Sequence, residues 1–209
     1  MKHKINLATW NRKEHFEFFS GFDEPYFGIT ANVDCTYAYA KAKDKGESFF
    51  LYYLYQSAQA VHAVDAFKLR IENGVVFLYD KIHISTTIGR KDGTFAFSFI
   101  PFEADWNSFV QHANNEIDKV KSGSGLRMNK DARRADSVHY SSLPWVRFTS
   151  LSHARQYSYP DSVPKISFGK VYIEGKRRKI PVSIHVHHAL ADGYHVGQYL
   201  DVFQQKLDS

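Results

Sequence analysis

The chain has 209 residues, 44% of them hydrophobic and 23% charged, which is the range of a folded globular protein and excludes a disordered, collagen-like or coiled-coil chain. That length predicts one domain over residues 1–209, able to bury roughly 70% of its unfolded surface without a metal or disulfide staple. A net charge of +5 and 16% aromatic residues leave nucleic-acid binding open on composition, while one cysteine excludes an internal disulfide and fits the reducing cytoplasm. No stretch approaches the roughly 20 apolar residues that cross a bilayer, and the start MKHKINLATWNRKEHF lacks the apolar core of a signal peptide.

Asn11 is a good N-cap residue and predicts a helix over RKEHFEFFS. An extended run follows from Phe27 to Val33, then a short helix from Cys35 to Asp44. Ser48 is placed to cap a longer helix, FFLYYLYQSAQAVHAV, whose apolar residues surround most of its circumference and imply deep burial. Lys68–Ile71 and Val75–Tyr79 flank Glu72-Asn73-Gly74, a hairpin signal. Two more strands, Ile82–Ile88 and Thr94–Phe99, flank Lys91-Asp92-Gly93, and in the second Phe95, Phe97 and Phe99 share one face. Asp105 is placed to cap a helix over WNSFVQHANNEIDKV that ends near Gly123. Residues 122–136 read as loop, followed by short strands near Val138–Ser141 and Val146–Thr149. Lys165–Ile173 and Ile180–His188 read as two strands. A last helix from about Tyr194 carries Val196, Tyr199, Leu200, Phe203 and Leu207 at helical spacing. Without strict βαβ alternation, this order predicts an α/β two-layer sandwich with a mixed, mainly antiparallel sheet packed with helices, not a Rossmann fold.

The segment richest in chemistry is Ser183-Ile184-His185-Val186-His187-His188-Ala189-Leu190-Ala191-Asp192-Gly193. Alternation places Ile180, Val182, Ile184, Val186 and His188 on one face, so His188 ends an apolar row. Partial desolvation there favours a neutral ring, available as a base. Asp192 then opens the last helix. Histidines at a strand end are more often structural than catalytic. His185 and His187 share a face, but catalytic zinc wants three protein ligands and no carboxylate or cysteine stands at fitting spacing, so no metal is assigned.

His188-Ala189-Leu190-Ala191-Asp192-Gly193 is the HxxxDG pattern of the CoA-dependent acyltransferases, and HVHHALADGYHVGQYL resembles the chloramphenicol acetyltransferase family. Trp10-Asn11-Arg12-Lys13-Glu14-His15-Phe16-Glu17 and Ser141-Ser142-Leu143-Pro144-Trp145-Val146 resemble two further blocks of that family, in the same order. The resemblance implies the CoA-dependent acyltransferase fold and direct transfer of acetyl from acetyl-CoA to a hydroxyl of chloramphenicol. It makes His188 the general base, Ser141 the oxyanion donor, and Arg12 with Asp192 an ordering pair. It puts Trp145, Lys170 and Ser141 beside the cofactor, and Phe18, Phe19, Phe27, Phe95, Leu151, His153 and Ser167 around the acceptor. It also implies a homotrimer with active sites between subunits.

This chain departs from the pattern at the acceptor. Phe19 stands where a tyrosine is common, His153 where a leucine is, Leu151 where a phenylalanine is, and Ser167 replaces a threonine. Val171 stands where an aromatic is often seen beside the cofactor. Another small hydroxylated acceptor therefore stays open as an alternative to the antibiotic. A dihydrolipoamide acyltransferase core shares HxxxDG but fits the N-terminal block less well. A non-catalytic binder of hydrophobic ligands leaves the His188, Ser141, Asp192 and Arg12 set without a purpose. No nucleic-acid module and no phosphate-binding Gly-rich loop is present; Lys176-Arg177-Arg178-Lys179 reads as a solvated turn, and Cys35 as a buried thiol without an activator.

Overall fold

A computed structural model describes residues 1–156 and 161–209, with all of their side chains except those of 132 and 133. In chain order the elements are β1 (Lys2–Lys4), α1 (Lys13–Phe19), β2 (Tyr26–Asp34), α2 (Thr36–Asp44), α3 (Phe49–Ala63), β3 (Leu69–Glu72), β4 (Val75–Tyr79), β5 (His83–Gly89) and β6 (Phe95–Ile100). They continue with α4 (Trp106–Ser122), β7 (Ser137–Ser142), β8 (Lys165–Phe168), β9 (Tyr172–Glu174), β10 (Arg177–His187) and α5 (Gly193–Leu207).

The large sheet runs β2-β10-β8-β7-β5-β6, with β9 beside the far end of β10; β1, β4 and β3 form a small antiparallel sheet. The β5–β7 and β7–β8 pairs are parallel and the remaining pairs antiparallel, as the mixed pattern predicts. Along β10 the residues Ile180, Val182, Ile184 and Val186 are buried against Leu54, Ala58 and Val61 of α3 and Tyr199 and Phe203 of α5. Each such apolar side chain contributes about 1.5–3 kcal/mol when fully buried, so this layer dominates the stability. The caps of α3 and α4 form as their sequences predict: Ser48 Oγ accepts from Leu51 N at 3.4 Å and Asp105 from Ser108 N at 2.8 Å.

Three expectations fail, each for a physical reason. Asn11 does not cap α1; Arg12 holds the capping position without a side-chain cap bond, because its guanidinium is committed elsewhere. The segment 146–149 forms no strand: Pro144 lacks an N–H for a ladder, and the chain turns with Val146 N on Leu143 O at 3.2 Å. The run from Lys165 to Ile173 breaks at Gly169. Gly169 N donates to Pro181 O at 2.9 Å, but Pro181 has no N–H to donate back, so the ladder stops.

Gly169 is also required sterically. A Cβ there would lie 3.0 Å from the Val146 carbonyl oxygen and 3.0 Å from the Phe148 ring. Gly169→Ala should therefore destabilise the fold by about 1–3 kcal/mol, read as a lower denaturation midpoint with an unchanged slope. An unchanged midpoint would mean the corner is slack.

Candidate active site

His188 lies in the turn just past β10, one residue beyond the strand. Its backbone N donates to Pro25 O at 2.7 Å, which pins the turn to the start of β2. The next three residues, Ala189, Leu190 and Ala191, are buried. Asp192 then caps α5, its Oδ1 accepting from Tyr194 N at 3.0 Å, while His195 Nδ1 lies 2.8 Å from the same oxygen. The HxxxDG spelling therefore encodes a strand end, a buried turn and a helix cap in six residues.

Arg12 crosses from the start of α1 to this turn. Its Nη1 donates to Asp192 Oδ2 at 2.6 Å and its Nη2 to the His188 backbone oxygen at 3.3 Å. The grip is thus shared between the carboxylate and the backbone of His188, rather than two-pronged on the carboxylate alone. Arg12 is buried, so its charge is poorly screened. Burial disfavours the ionised form of Asp192, but the bonds from Arg12 and the charge of His195 outweigh it and bring the carboxyl down to about 2.

The imidazole of His188 is partly buried and sits between two rings. Phe19 stacks on it with centroids 3.9 Å apart and planes 11° apart, and Phe27 tilts against it at 4.5 Å. Phe18 and Phe22 extend this aromatic group from Phe19 at 5.0 and 5.2 Å. The His188 Nδ1 is buried without a hydrogen-bond partner among the described residues, so the ring is held by stacking and by its backbone.

A second group lies on the sheet. Ser141 of β7 pairs with Ser167 of β8, and Ser167 with Ser183 of β10. Ser167 Oγ is 3.4 Å from His153 Nε2. The His153 ring meets His185 edge-on at 4.9 Å, and His185 lies against the Leu151 backbone. Burial first, then the neighbouring His185 and Lys165, bring His153 down to about 4. His153 thus lies beside Ser167 and His185, and His185 beside the Leu151 backbone.

Phe95, Trp145 and Lys170 do not join these groups within one chain. Phe18 and Phe95 are 64% and 48% exposed, and Phe95 lies on β6, the edge strand farthest from β2. Trp145 and Lys170 share an exposed corner, where Lys170 N donates to Val146 O at 2.8 Å. Sequence reasoning missed His195, His139 and Lys165. Strand alternation was the signal for the last two, since His139 shares a face with Ser141 and Lys165 with Ser167.

The remaining features stay outside the site. His187 rests against Tyr26 with centroids 5.5 Å apart, and no group of His, Cys, Asp and Glu among the described residues has a metal-binding arrangement. Burial pushes the Cys35 thiol up to about 12. In the basic turn, Arg177 pairs with Asp34 and Lys179 with Glu174.

A family model described as chloramphenicol acetyltransferase matches residues 1–204. A chloramphenicol acetyltransferase of Campylobacter coli is 30% identical over 98% of both chains. The chloramphenicol acetyltransferase 3 of Escherichia coli is 28% identical over 99% of this chain and 97% of its own. A solved chloramphenicol acetyltransferase superposes with a TM-score of 0.92 at 30% identity, covering 99% of this chain and all of that one. A probable dihydrolipoamide acetyltransferase of Listeria monocytogenes shares the fold, with a TM-score of 0.67 at 15% identity over 99% of this chain and 93% of its own.

The Asp192 carboxyl carries a test of the turn. A carboxyl lowered on folding contributes stability above its unfolded value of about 4, and that stability is lost as the pH falls toward 2. Asp192→Asn should remove roughly 2 kcal/mol at neutral pH and flatten the fall of melting temperature below about pH 4. An equally steep acid limb in the variant would locate the acid-labile group elsewhere.

Proposed function

The chain belongs to the chloramphenicol acetyltransferase family and is an acetyltransferase; we propose that it moves the acetyl group of acetyl-CoA directly to a hydroxyl of chloramphenicol, with His188 as base. The observation that carries this reading is the clamped imidazole. Phe19 and Phe27 fix its plane, Arg12 fixes its backbone through the His188 oxygen, and Nδ1 is shut away from solvent. Nε2 is then the nitrogen left to face a reactant, with Nδ1 keeping the ring proton.

The chemistry balances with one base and one donor. Nε2 takes the proton of the acceptor hydroxyl as its oxygen attacks the thioester carbonyl carbon. The C–O bond forms, the carbonyl electrons move to oxygen, and the Ser141 hydroxyl donates to that oxyanion. Collapse breaks the C–S bond, and the departing thiolate takes the proton back from the imidazolium. Base assistance of this kind is worth on the order of 10²–10⁴ in rate and an oxyanion donor about 10²–10³. Arg12 and Asp192 position the turn and handle no proton.

Acetyl-CoA enters as co-substrate. The exposed corner of Trp145 and Lys170 offers an aromatic surface and a cation, chemistry that suits a nucleotide with phosphates. Residues 1–209 act as one acetyltransferase domain. The exposed Phe18 and Phe95 suit burial against neighbouring subunits in a homotrimer, placing acceptor residues of one chain over His188 of another. A cytoplasmic enzyme meets its acetyl donor there and keeps Cys35 reduced. No helix among the described residues is long and apolar enough to cross a membrane. The aromatic content goes to core, interface and acceptor pocket, and nucleic acid is no partner. Acetyl transfer to another small hydroxylated molecule is the second reading, favoured by the imidazoles around Ser167.

Thiol release from acetyl-CoA in the presence of chloramphenicol is the direct assay. His188→Ala should lose at least about 10²-fold in kcat and Ser141→Ala about 10²–10³-fold, both with native sedimentation at three times the mass of the chain. Retention of most activity by the His188 variant would overturn the assignment of the base.

A further inference from the structure

The two faces of the large sheet differ sharply in chemistry. One rung, Tyr140, Ile166, Ile184 and Ile29, faces the helices. The rungs on either side of it point the other way. One is Ser141, Ser167, Ser183 and Thr30; the other is His139, Lys165, His185 and Gly28. His153 comes from outside the sheet to join both, reaching Ser167 Oγ at 3.4 Å and the His185 ring at 4.9 Å. Gly28 makes room for this packing, because a Cβ there would lie 2.4 Å from His185 Nε2.

The charges on this face cancel. The Lys165 ammonium is bonded to Asp161, and Arg155 pairs with Glu24 at 3.0 Å. The imidazoles add no charge at neutral pH. Burial, reinforced by Lys165, brings His139 and His153 each to about 4 and also lowers His185. A neutral imidazole is both a donor and an acceptor. Ser167 lies directly across from Ser141, so this surface begins one strand away from the proposed oxyanion donor.

We infer that His153, together with His185 and Ser167, forms a hydrogen-bonding wall of the acceptor pocket, selecting a hydroxylated acceptor whose non-reacting end carries an uncharged polar group such as a carboxamide. This rests on the acetyl-transfer reading above. A carboxylate is disfavoured, since both cations on the face already have partners. An apolar end is disfavoured as well, because it offers no hydrogen bond to the half-buried imidazoles of His153 and His185. His153 acts here as a specificity residue and takes no part in the proton transfer.

The test uses two chloramphenicol analogues of like shape, one with a para-carboxamide and one with a para-isopropyl group, in place of the nitro group. The measurement is the ratio of their kcat/KM values with acetyl-CoA in the full-length protein. In the unaltered protein the carboxamide should lead by about tenfold or more. His153→Leu should cut that ratio by at least about tenfold, chiefly through KM of the carboxamide analogue, with kcat changed by less than about threefold. His153→Asn, which keeps a donor and an acceptor, should restore much of the ratio. A ratio that stays within about twofold across the three proteins overturns the wall while leaving acetyl transfer standing. No turnover of either analogue or of chloramphenicol overturns acetyl transfer to such acceptors, and the wall with it.

Discussion

The contact of Arg12 with Asp192 and the His188 backbone joins the first helix to the last across 180 residues. Arg12 is buried, and its Nε has no partner among the described residues, so the two nitrogens that do bond carry the task of holding a desolvated cation. Such a group is not a cheap source of stability. Burying an ion pair costs about as much as its attraction returns, while losing one partner leaves the other charge desolvated and uncompensated. Its effect here is positional. The same guanidinium that holds the cap of α5 also holds the carbonyl of His188, so the imidazole cannot shift along the chain without breaking both bonds. Stacking on Phe19, which is carried by the same helix that Arg12 precedes, removes the rotational freedom that remains.

The rest of the fold can be understood as support for that point. β10 feeds the turn, and its apolar row anchors it to α3 and α5. Pro181 ends the pairing of β8 with β10, and the chain leaves the sheet at Gly169. That departure brings Lys170 against Val146 and creates the exposed corner with Trp145. One missing N–H and one missing Cβ thus separate a regular sheet from a sheet with an irregular corner.

Much of this was legible in the sequence because it rests on local rules. Alternation along Ile180–Val186, the caps at Ser48 and Asp105, and the helical spacing of Val196, Tyr199 and Phe203 all depend on near neighbours and appear as read, while the strand stops one residue short of His188. The failures share a different cause. Asn11 has good capping chemistry, but the position belongs to Arg12, whose partner is 180 residues away. Val146–Thr149 has strand-forming residues but no free ladder to join. At Gly169 the deciding residue, Pro181, lies on another strand. His139 and Lys165 escaped notice because a polar residue in a strand reads as solvent-facing. Here Lys165 on that face is buried and paired with Asp161.

That polar face has an energetic consequence. An apolar surface can be buried by anything of fitting shape, whereas buried polar atoms demand partners of matching geometry. Arg70, fully buried and with no ion pair among the described residues, meets this demand with four backbone oxygens, those of Phe67, Leu69, Ala135 and Ser137. Lys165 meets it with Asp161 and the Val163 oxygen. The imidazoles of His153 and His185 meet it through serine hydroxyls at 3.4 Å and, for His185, the Leu151 backbone. The Ser167 partner of His153 stands directly across from Ser141. A sheet that spends its apolar side on stability leaves discrimination among acceptors to its polar side, where an unmatched group costs most.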